Sequence, residues 1–530
     1  MSRSGVAGVL LAWLAMLCAA PARADDVYDA AALVPDSVTF FMVIDDAAGL
    51  RASELGPSAE ALAQALSDFV ETSEAWGRLA AQLDLSNQAA FDALLGQRAM
   101  LASRTRADGA GEWALISRVS RATEDRLRLR LRPAPRAVVA GLPVLSVENG
   151  RFEMVVARGD PESTLVIAPS TNTGLFDEIV GSLARGGPQR PLGSTDPLRQ
   201  IRVLAREPSA MIFARPEADA PSWIATTATS DNASIKLRFM ARFQDAAPGP
   251  GSIKPWSITS LDEIAADAYA MVVDWDVLPQ ALRPADILGD SGVLRELLGL
   301  GNTGPHKGAP NASTAGRSLV ALLPSNSGVL DVVVALQCPD VHAFAPIGDQ
   351  RIADALAGFG AADETRQQAR QDFGGAFPEA VRSIDLAGAL GPLAVLGFDR
   401  GPTLAWTYRA GGIPEGGDAA GWWTIGLGAP SVHRVSTVLA RPDNPADRIP
   451  WLSRGLLRPS ALLASFVERQ LPLPESVARI FSRVERVEWK AVLAPDGLIV
   501  GDGQIDLVPA PHKVDAPAQG HAKPTRVRPR

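Results

Sequence analysis

The chain has 530 residues, of which 47% are hydrophobic and 21% are charged, and its formal net charge at pH 7 is −8. This composition is ordinary for a globular protein. A nucleic-acid-binding surface has to be basic, so the acidic balance argues against nucleic acid as the main partner.

The first 24 residues have the pattern of a cleavable secretory signal peptide. A positively charged start is followed by an uncharged, mostly apolar stretch, and Ala22, Arg23 and Ala24 form an A-x-A cleavage site. We therefore expect cleavage before Asp25 and export to the periplasm, the cell envelope or the medium. An uncleaved membrane anchor is the alternative, although a spanning helix needs about 20 apolar residues.

Cleavage would leave an acidic body and a basic tail. The mature chain loses two arginines and no acid, so its formal charge becomes −10. Residues 510–530 carry a charge of +4, which leaves −14 on residues 25–509. Cys338 is the one cysteine that remains, so an internal disulfide is excluded and packed cores must provide stability. No later stretch is apolar enough to predict a membrane span.

Hydrophobic periodicity predicts strands and helices through the first half of the chain. A buried strand is expected at Val38–Ile44, and an amphipathic helix at Pro57–Leu83 carries apolar residues at three- and four-residue steps. Asp108 and Gly109 predict the turn of a hairpin. The remaining expected elements are a short helix ending at Leu95, hairpin strands at Ala99–Arg104 and Glu112–Ser120, strands at Leu142–Val147, Phe152–Ala157 and Thr164–Ala168, and a helix at Thr173–Ala184.

Segments rich in proline and glycine divide the chain into two predicted lobes. The break at 246–258 is the expected linker between an N-terminal α+β lobe, residues 25–245, and a C-terminal α+β lobe, residues 259–509. The Pro-rich tail, residues 510–530, has almost no apolar bulk and is expected to be disordered. Its charge would allow contact with an anionic envelope surface, but an inert extension is the favoured interpretation.

The two halves of the chain are similar in three places. The compared segments begin at Leu94 and Ala389, at Thr164 and Trp422, and at Thr39 and Leu330. An internal duplication is one of two open interpretations, because a single sequence has little power to detect one.

Several short motifs mark the beginning of the mature chain. Leu-Val-Pro-Asp-Ser, residues 33–37, leads into a strand that ends in acid, and an amphipathic helix follows. Phe-Asp-Ala-Leu-Leu-Gly-Gln, residues 91–97, then enters a hairpin. In these features the chain resembles a family of uncharacterised exported bacterial proteins, known as a domain of unknown function. The resemblance covers the first third of the chain best; it implies export and an α+β build and carries no catalytic residues.

The scarcity of histidine limits the catalytic sites that the sequence could contain. All five histidines lie at or after His306. Residues 289–292, Gly-Asp-Ser-Gly, are similar to the nucleophile segment of chymotrypsin-like proteases, but those enzymes need a histidine earlier in the chain. The G-x-S-x-G, S-x-x-K, P-loop, H-E-x-x-H and C-x-x-C motifs are absent from the sequence. We therefore expect no cofactor.

Cys338 and His342 form the one pair with metal-ligand or nucleophile spacing. They lie four residues apart and could share a helix face, where a thiolate beside an imidazole can attack a substrate or bind metal. Zinc normally takes three or four ligands, so the favoured interpretation is a lone thiol at a strand end that Pro339 terminates.

Four aspartates at the ends of predicted strands are the candidate acids. Asp45 and Asp46 follow the first strand, and Asp274 and Asp276 follow another apolar run. Carboxylates in this position can hold a divalent cation or act as acid and base. The D-x-D pattern resembles the metal-nucleotide element of some glycosyltransferases, but sugar nucleotides are scarce outside the cytoplasm. Aspartate also favours turns and helix N-caps, and this structural interpretation is preferred.

Arginines and leucines alternate between residues 126 and 132. A period of two predicts a strand with one arginine-lined face, formed by Arg126, Arg128, Arg130 and Arg132. Such a face could bind phosphates or acidic glycans, but a solvated face paired with neighbouring acids is favoured. A helical alternative at Thr123–Arg132 would scatter the arginines.

The sequence thus predicts an α+β protein with antiparallel sheets, helices packed on one face, and two lobes related by a possible duplication. The first functional hypothesis is a non-enzymatic exported cell-envelope protein that binds or scaffolds. The alternatives are a hydrolase of unrecognised type that uses carboxylates such as those of Asp45, Asp46, Asp274 or Asp276, and a carrier of an apolar ligand.

Overall fold

A computed structural model describes much of the chain after residue 25. The described residues are 26–46, 48, 73–106, 108–159, 161–171, 173–215, 222–230, 234–242, 256–275, 317–326, 328, 330–358, 381–385, 403–411, 420–441, 448–449, 451–473, 475–494 and 496–508. The predicted cleavage site, most of the predicted linker and the predicted tail lie outside them, so those features stay predictions.

The described elements are mainly strands. The strands are β1 Phe40–Asp45, β2 Arg98–Thr105, β3 Gly111–Val119, β4 Arg132–Val139, β5 Leu142–Val147, β6 Phe152–Ala157, β7 Ser163–Pro169, β8 Ala210–Ala214, β9 Trp223–Ser230, β10 Ser234–Arg242, β11 Trp256–Ser257, β12 Ala270–Trp275, β13 Arg317–Pro324, β14 Leu330–Cys338, β15 Arg382–Asp385, β16 Thr403–Ala410, β17 Gly421–Leu427, β18 Arg448–Ile449, β19 Trp451–Leu457, β20 Val484–Leu493 and β21 Leu498–Leu507. The helices are α1 Asp26–Ala31, α2 Ser73–Gln82, α3 Asn87–Leu95, α4 Arg121–Arg130, α5 Gly174–Ala184, α6 Asp196–Leu204, α7 Ile258–Asp267, α8 Val341–Gly358, α9 Ala429–Leu439, α10 Pro459–Glu468 and α11 Glu475–Phe481.

Nineteen of the described strands form one antiparallel sheet. Their order across the sheet is β4, β5, β6, β7, β3, β2, β1, β8, β9, β10, β21, β20, β19, β12, β13, β14, β17, β16 and β15. The remaining two, β11 and β18, pair with each other. The prediction of an α+β protein built on antiparallel sheet is confirmed.

The strand order has two comparable parts. We call β1–β10 the first half-sheet, and β12–β17 with β19–β21 the second half-sheet. The first strand of each, β1 or β12, lies between the next strand in the chain and a strand that comes much later, β8 or β19. The hairpins β2–β3 and β13–β14 both have strands of eight and nine residues.

The half-sheets join through their last strands, β10 and β21, which pair along nine residues. Arg238 lies directly opposite Asp502 at the middle of this pairing. The guanidinium Nε of Arg238 donates to Oδ1 of Asp502 over 2.9 Å. The join is therefore a continuous ladder of backbone hydrogen bonds with an ion pair at its centre.

Helices cover both faces of the sheet, so the prediction of helices on one face is wrong. Alternate residues of β3 show this, because side chains alternate between faces along a strand. Ile116 is buried in the core beneath α1 and α5, whereas Leu115 packs against the core beneath α2, α3 and α4. Because strands such as β3 have apolar side chains on both faces, helices on both sides of the sheet are needed to bury them.

Several local predictions in the first half-sheet are confirmed, and one is wrong. The expected first strand is β1, and the expected hairpin is β2 with β3, whose turn contains Gly109 at φ 80°. The arginine-rich segment is a helix, α4, so the strand prediction is wrong and the helical alternative at Thr123–Arg132 is confirmed as far as Arg130. Ser120 caps it, since its Oγ accepts from the Thr123 N–H over 3.2 Å, and Arg128 pairs with Glu124 one turn earlier.

The predicted amphipathic helix and the predicted lack of a membrane span can each be compared with the structure only in part. Ser73–Gln82 is helical as α2, and residues 57–72 lie outside the described residues. Among the helices that the structure describes, none is both long and apolar enough to cross a membrane.

Candidate binding surface

One face of the sheet, which runs from β3 of the first half-sheet to β20 of the second, is lined mostly by apolar side chains and carries no charged one. The strand registers place neighbouring residues in rows across this face. The first row, from β3 to β20, is Leu115, Leu101, Met42, Ile212, Thr226, Phe239, Gly501 and Ala491. The second row is Trp113, Ser103, Phe40, Ala214, Ile224, Ala241, Ile499 and Leu493. We call these two rows the open face.

The open face is incompletely covered. Its large apolar side chains each keep part of their surface exposed, namely those of Leu101, Met42, Ile212, Phe239, Trp113, Phe40, Ile224, Ile499 and Leu493. Described helices contact the two ends of the open face, α3 at β3 and α10 at β20, whereas β2, β8, β9 and β10 between them have no extensive contact with a described helix. Single exposed hydrophobic residues are normal, but a contiguous apolar patch marks a site of interaction.

The second half-sheet has a covered version of the same face. Met42 is the third residue of β1, and Val272 is the third residue of β12, where it is only 2% exposed. Trp113 and Val332 correspond in the same way on β3 and β14, and Val332 is 5% exposed. Leu462 of α10 packs on Val332 in a cluster that also includes residues of α11. The position equivalent to Trp113 is therefore buried beneath α10, and the position equivalent to Met42 is buried as well.

A polar hollow of about 500 Å³ lies on the opposite face, beside the start of α5. Its lining includes Arg104, Arg106, Glu112, Thr171, Thr173 and Gly174. Arg104 donates to Glu112 over 2.7 Å and to Glu178 over 2.6 Å. Burial alone would lower the pKa of Arg104, but its hydrogen bonds to the two carboxylates outweigh burial and raise it. The acids balance the arginines, so the hollow offers no excess positive charge to an anion.

A buried acid lies at the same strand position in both half-sheets. Glu112 and Asp331 are the second residues of β3 and β14, and they are 2% and 4% exposed. Asp331 accepts from the Ser431 hydroxyl over 2.7 Å, at the first turn of α9. Burial raises the pKa of Asp331, and hydrogen bonds from Ser325 and Ser431 offset part of that rise. Asp331 therefore ties the start of α9 to the sheet, and Glu112 is linked to α5 through Arg104, which also donates to Glu178.

A second buried carboxylate holds α8 against the second half-sheet. Asp349 is fully buried, and its Oδ1 accepts from Trp406 Nε1 over 2.8 Å and from the Tyr408 hydroxyl over 2.7 Å. Arg382 donates to Oδ2 over 2.9 Å. Burial raises the pKa of Asp349, and these three partners offset part of that rise. The donors come from β15 and β16, so the cluster ties those strands to α8.

The candidate acids are not brought together as a catalytic pair among the described residues. Asp45 is 9% exposed, and its Oδ1 accepts from Nε of the buried Arg98 over 2.9 Å. Asp46 is exposed and has φ 52°, as expected of a turn residue. The backbone of Asp274 lies in β12 and its side chain is not described, and Asp276 lies outside the described residues.

Cys338 and His342 differ in burial, since the first is buried and the second is exposed. Cys338 ends β14, is fully buried, and its Sγ donates to the Leu336 carbonyl over 3.7 Å. His342 is exposed in the first turn of α8, where Asp340 accepts from its backbone N–H over 2.8 Å. In the part of the chain that the structure describes, no three His, Cys, Asp or Glu side chains are grouped to hold a metal.

The open face was missed by the sequence analysis. The residues of β1, Phe-Phe-Met-Val-Ile, are apolar on both faces, and such strands are usually buried on both sides. A signal was available in the short connection from β8 to β9, residues 215–222, which has fewer residues than α10. A connection that short leaves less room for a covering helix than the one that contains α10.

Comparisons with protein-family models, with curated proteins and with solved structures find no match. The resemblance to exported proteins of unknown function therefore stays a prediction.

Proposed function

We propose that this chain is a non-enzymatic binding protein of the cell envelope and that the open face is its binding surface. The observation that carries the proposal is an uncharged apolar face, two side chains wide, that stays partly exposed across the first half-sheet. Burying apolar area is worth about 25 cal/mol per Å², so a partner that covers the part of this face that stays exposed would gain stability.

The two alternative functions have weaker support. A hydrolase of the predicted kind needs two free carboxylates, and Asp45 is engaged by Arg98. A carrier of a small apolar ligand needs an enclosed pocket, which usually has a volume of about 300–1,000 Å³. The apolar hollow beside Leu83, Leu85 and Ala122 has a volume of about 200 Å³. A broad sheet face suits a macromolecule better than a small ligand.

The envelope location rests on the predicted signal peptide and on the basic tail. We propose that residues 510–530 attach the acidic body to an anionic surface by electrostatic attraction. Removal of the residues after Ala510 should release the protein from envelopes at low salt. Unchanged retention across a salt series would contradict this attachment.

We also propose that the half-sheets descend from one duplicated unit. The equal strand lengths of the β2–β3 and β13–β14 hairpins support this, as does the shared pairing order. Of the three similarities in the sequence, the one between the segments from Thr164 and Trp422 matches corresponding elements, because β7 leads to α5 as β17 leads to α9. The other two similarities join strands in different positions.

Binding of a hydrophobic dye tests the proposed surface. We expect the native mature chain to enhance the fluorescence of 8-anilinonaphthalene-1-sulfonate, and Ile212→Lys to reduce that enhancement by at least half. Val203→Lys is the control, since Val203 is 72% exposed on α6, outside the open face. Equal fluorescence from the native chain and Ile212→Lys, with both proteins folded, would contradict the proposal.

A further inference from the structure

We propose that the outer surface of α4 docks on an anionic lipid surface, where Leu129 enters the boundary between headgroups and acyl chains and the neighbouring arginines bind lipid phosphates. This surface is separate from the open face, because the side chains that α4 turns towards the sheet, Glu124 and Leu127, are buried. The inference goes beyond the proposed function, since it assigns a second binding surface and names the chemistry of its partner.

An exposed leucine lies on the outermost side of α4. Leu129 keeps 81% of its surface exposed, the largest fraction among the exposed large apolar side chains that the structure describes. Successive residues of a helix are rotated by about 100°, so Leu129 lies on the side of α4 opposite to Glu124 and Leu127. It therefore projects away from the sheet, in the position that first meets a flat surface.

Arginines lie on both sides of Leu129. Arg126 and Arg130 are one turn apart on one side of it, and Arg121 and Arg128 lie on the other side. All four arginines are exposed. A helix that lies on an anionic membrane places its apolar side chains in the lipid boundary, while flanking cations attract the anionic headgroups. The outer side of α4 has both of these parts.

The contacts of Arg126 and Arg130 leave their charge available to a ligand. Arg126 makes no ion pair within the part of the chain that the structure describes. Arg130 lies 3.2 Å from Asp84, and the two side chains are 48% and 78% exposed. Exposed ion pairs contribute little stability, so a lipid phosphate can replace Asp84. Like charges one turn apart on a helix repel each other, and a phosphate between the two arginines would relieve that repulsion.

The acids around α4 reduce its positive charge without cancelling it. Glu124 is 1% exposed and accepts from Arg128 over 3.0 Å, and the Arg158 guanidinium lies 3.7 Å from the same carboxylate. The exposed acids beside the arginines are Asp125 and Asp84. The outer side of α4 therefore presents more arginines than acids, in a chain whose formal net charge is −8.

An apolar hollow beside Arg126 favours a lipid over a purely polar anion. Its volume is about 200 Å³, and its lining includes Leu83, Leu85, Ala93, Ala122, Thr123 and Arg126. A lipid combines a phosphate with apolar chains, so it matches both the arginines and the apolar groups next to them. A nucleic acid or an acidic glycan would use the arginines and leave Leu129 in water.

Helix α6 provides matched control positions, because it has the same kinds of exposed residue but engages its arginines internally. Val203 is 72% exposed. Arg199 lies 2.7 Å from Asp196, and the Arg202 guanidinium lies over the Tyr28 ring, 5.6 Å from its centroid. Substitution of Arg199 and Arg202 therefore changes the net charge by the same amount as substitution of Arg126 and Arg130.

Sedimentation with vesicles tests the proposal on the mature chain with its tail. We expect binding to vesicles of equal parts phosphatidylcholine and phosphatidylglycerol, and no binding to phosphatidylcholine alone. Arg126→Gln with Arg130→Gln should weaken the binding about 25-fold, because one arginine near an anionic surface contributes about fivefold. Arg199→Gln with Arg202→Gln should leave it nearly unchanged. Equal affinities of the two double variants would assign the binding to the tail or to net charge and would overturn the proposal.

A second pair of variants tests the leucine. Leu129→Ser should weaken binding to the anionic vesicles about tenfold, because it removes apolar surface that the lipid would bury. Val203→Ser should leave the binding unchanged. Both positions are exposed, so neither variant should unfold the protein. Unchanged binding of Leu129→Ser would show that charge alone is recognised, as at a site for a free phosphate or a polyanion, and would overturn the lipid assignment.

Cysteine labelling tests whether α4 is accessible before it docks. Leu129→Cys and Val203→Cys should react with a maleimide at similar rates without vesicles, because both positions are exposed and Cys338 is buried. Anionic vesicles should slow the labelling of Leu129→Cys alone, by at least tenfold. Slow labelling of Leu129→Cys without vesicles would show that another part of the chain, such as residues 57–72, covers α4, and would overturn the proposal. Equal rates of the two variants with vesicles would also overturn it. The dye-binding test of the open face is independent of these outcomes.

Discussion

The two half-sheets have the same strand pairing and different covers. In both, a central strand lies between a hairpin and a later strand, and a helix follows the strand that pairs with the hairpin. In the second half-sheet α10 and α11 cover the face that is open in the first. The comparison teaches that backbone pairing defines the sheet, whereas the helices in the connections between strands determine which of its faces are buried.

The buried carboxylates differ between the half-sheets in a second way. Asp349 is held by Arg382 and by two aromatic donors, and burial raises its pKa. Glu124, on α4 of the first half-sheet, is 1% exposed. Burial would raise its pKa as well, but hydrogen bonds from Ser163 and Arg128 outweigh burial and lower it. Folding therefore shifts the pKa values of these two acids in opposite directions.

The largest expected effect comes from removing the acid of the second half-sheet. Asp349→Ala should lower the free energy of unfolding by about 3–5 kcal/mol, because it leaves the nearly buried Arg382 without its carboxylate. Glu124→Ala should cost less, about 1–3 kcal/mol, because Arg128 is 36% exposed and water can replace the acid. Urea unfolding measures both. Equal losses of unfolding free energy in the two variants would contradict the expected difference between the two acids.

The next largest difference is expected between the glycines beside the equivalent acids Asp331 and Glu112, in the stability lost when each glycine is replaced by alanine. A Cβ on Gly428, which has φ 97°, would lie 2.2 Å from an oxygen of Asp331, so Gly428→Ala should cost about 2–4 kcal/mol. A Cβ on Gly174 would lie 2.5 Å from an oxygen of Glu112, and φ is not positive there, so about 1–2 kcal/mol is expected.

Gly109→Ala is the control for this glycine pair, because Gly109 has φ 80° and nothing within 4 Å of an added Cβ. It should cost about 1 kcal/mol, which isolates the effect of a positive φ. Thermal unfolding measures the three variants. A loss for Gly428→Ala no larger than that for Gly109→Ala would mean that the contact with Asp331 is not close.

A smaller effect is expected when pH is varied. Asp331 has a raised pKa in the folded state, so its contribution to stability falls as pH rises from the unfolded value, about 3.9, through the folded value. The stability of wild type relative to Asp331→Asn should therefore increase on acidification. Glu124 has a lowered pKa, so the advantage of wild type over Glu124→Gln should shrink as pH falls. Parallel trends in urea unfolding at pH 7 and pH 4.5 would contradict these assignments.

The smallest effect is expected at the join between the half-sheets. Arg238 and Asp502 have side chains that are 42% and 47% exposed, so Arg238→Ala should cost below about 1 kcal/mol. The nine-residue backbone pairing, which the variant leaves intact, should hold the halves together. A single unfolding transition is expected in calorimetry. Two separate transitions in the variant would show that this ion pair couples the half-sheets.

Local patterns predicted the fold class and the first hairpin, because turn residues such as Gly109 act over a few positions. The arginine-rich segment was predicted as a strand because leucine and arginine alternate there. Its helix depends instead on the Ser120 cap and on the contact of the buried Leu127 with the sheet core. The sequence pattern of β1 cannot distinguish one covered face from two, since both faces are apolar. Whether a face of β1 stays partly exposed therefore depends on which connections between strands contain helices, and the pattern of the strand itself does not show this.

The accessibility of equivalent positions tests the open face most directly. Met42→Cys and Val272→Cys place one thiol on each half-sheet in a mature chain whose native cysteine, Cys338, is fully buried. We expect a maleimide to label Met42→Cys in the native protein about 100-fold faster than Val272→Cys, which must await local opening. The two rates should become equal in denaturant. Equal rates in the native protein would show that both faces are covered alike and would contradict the central claim.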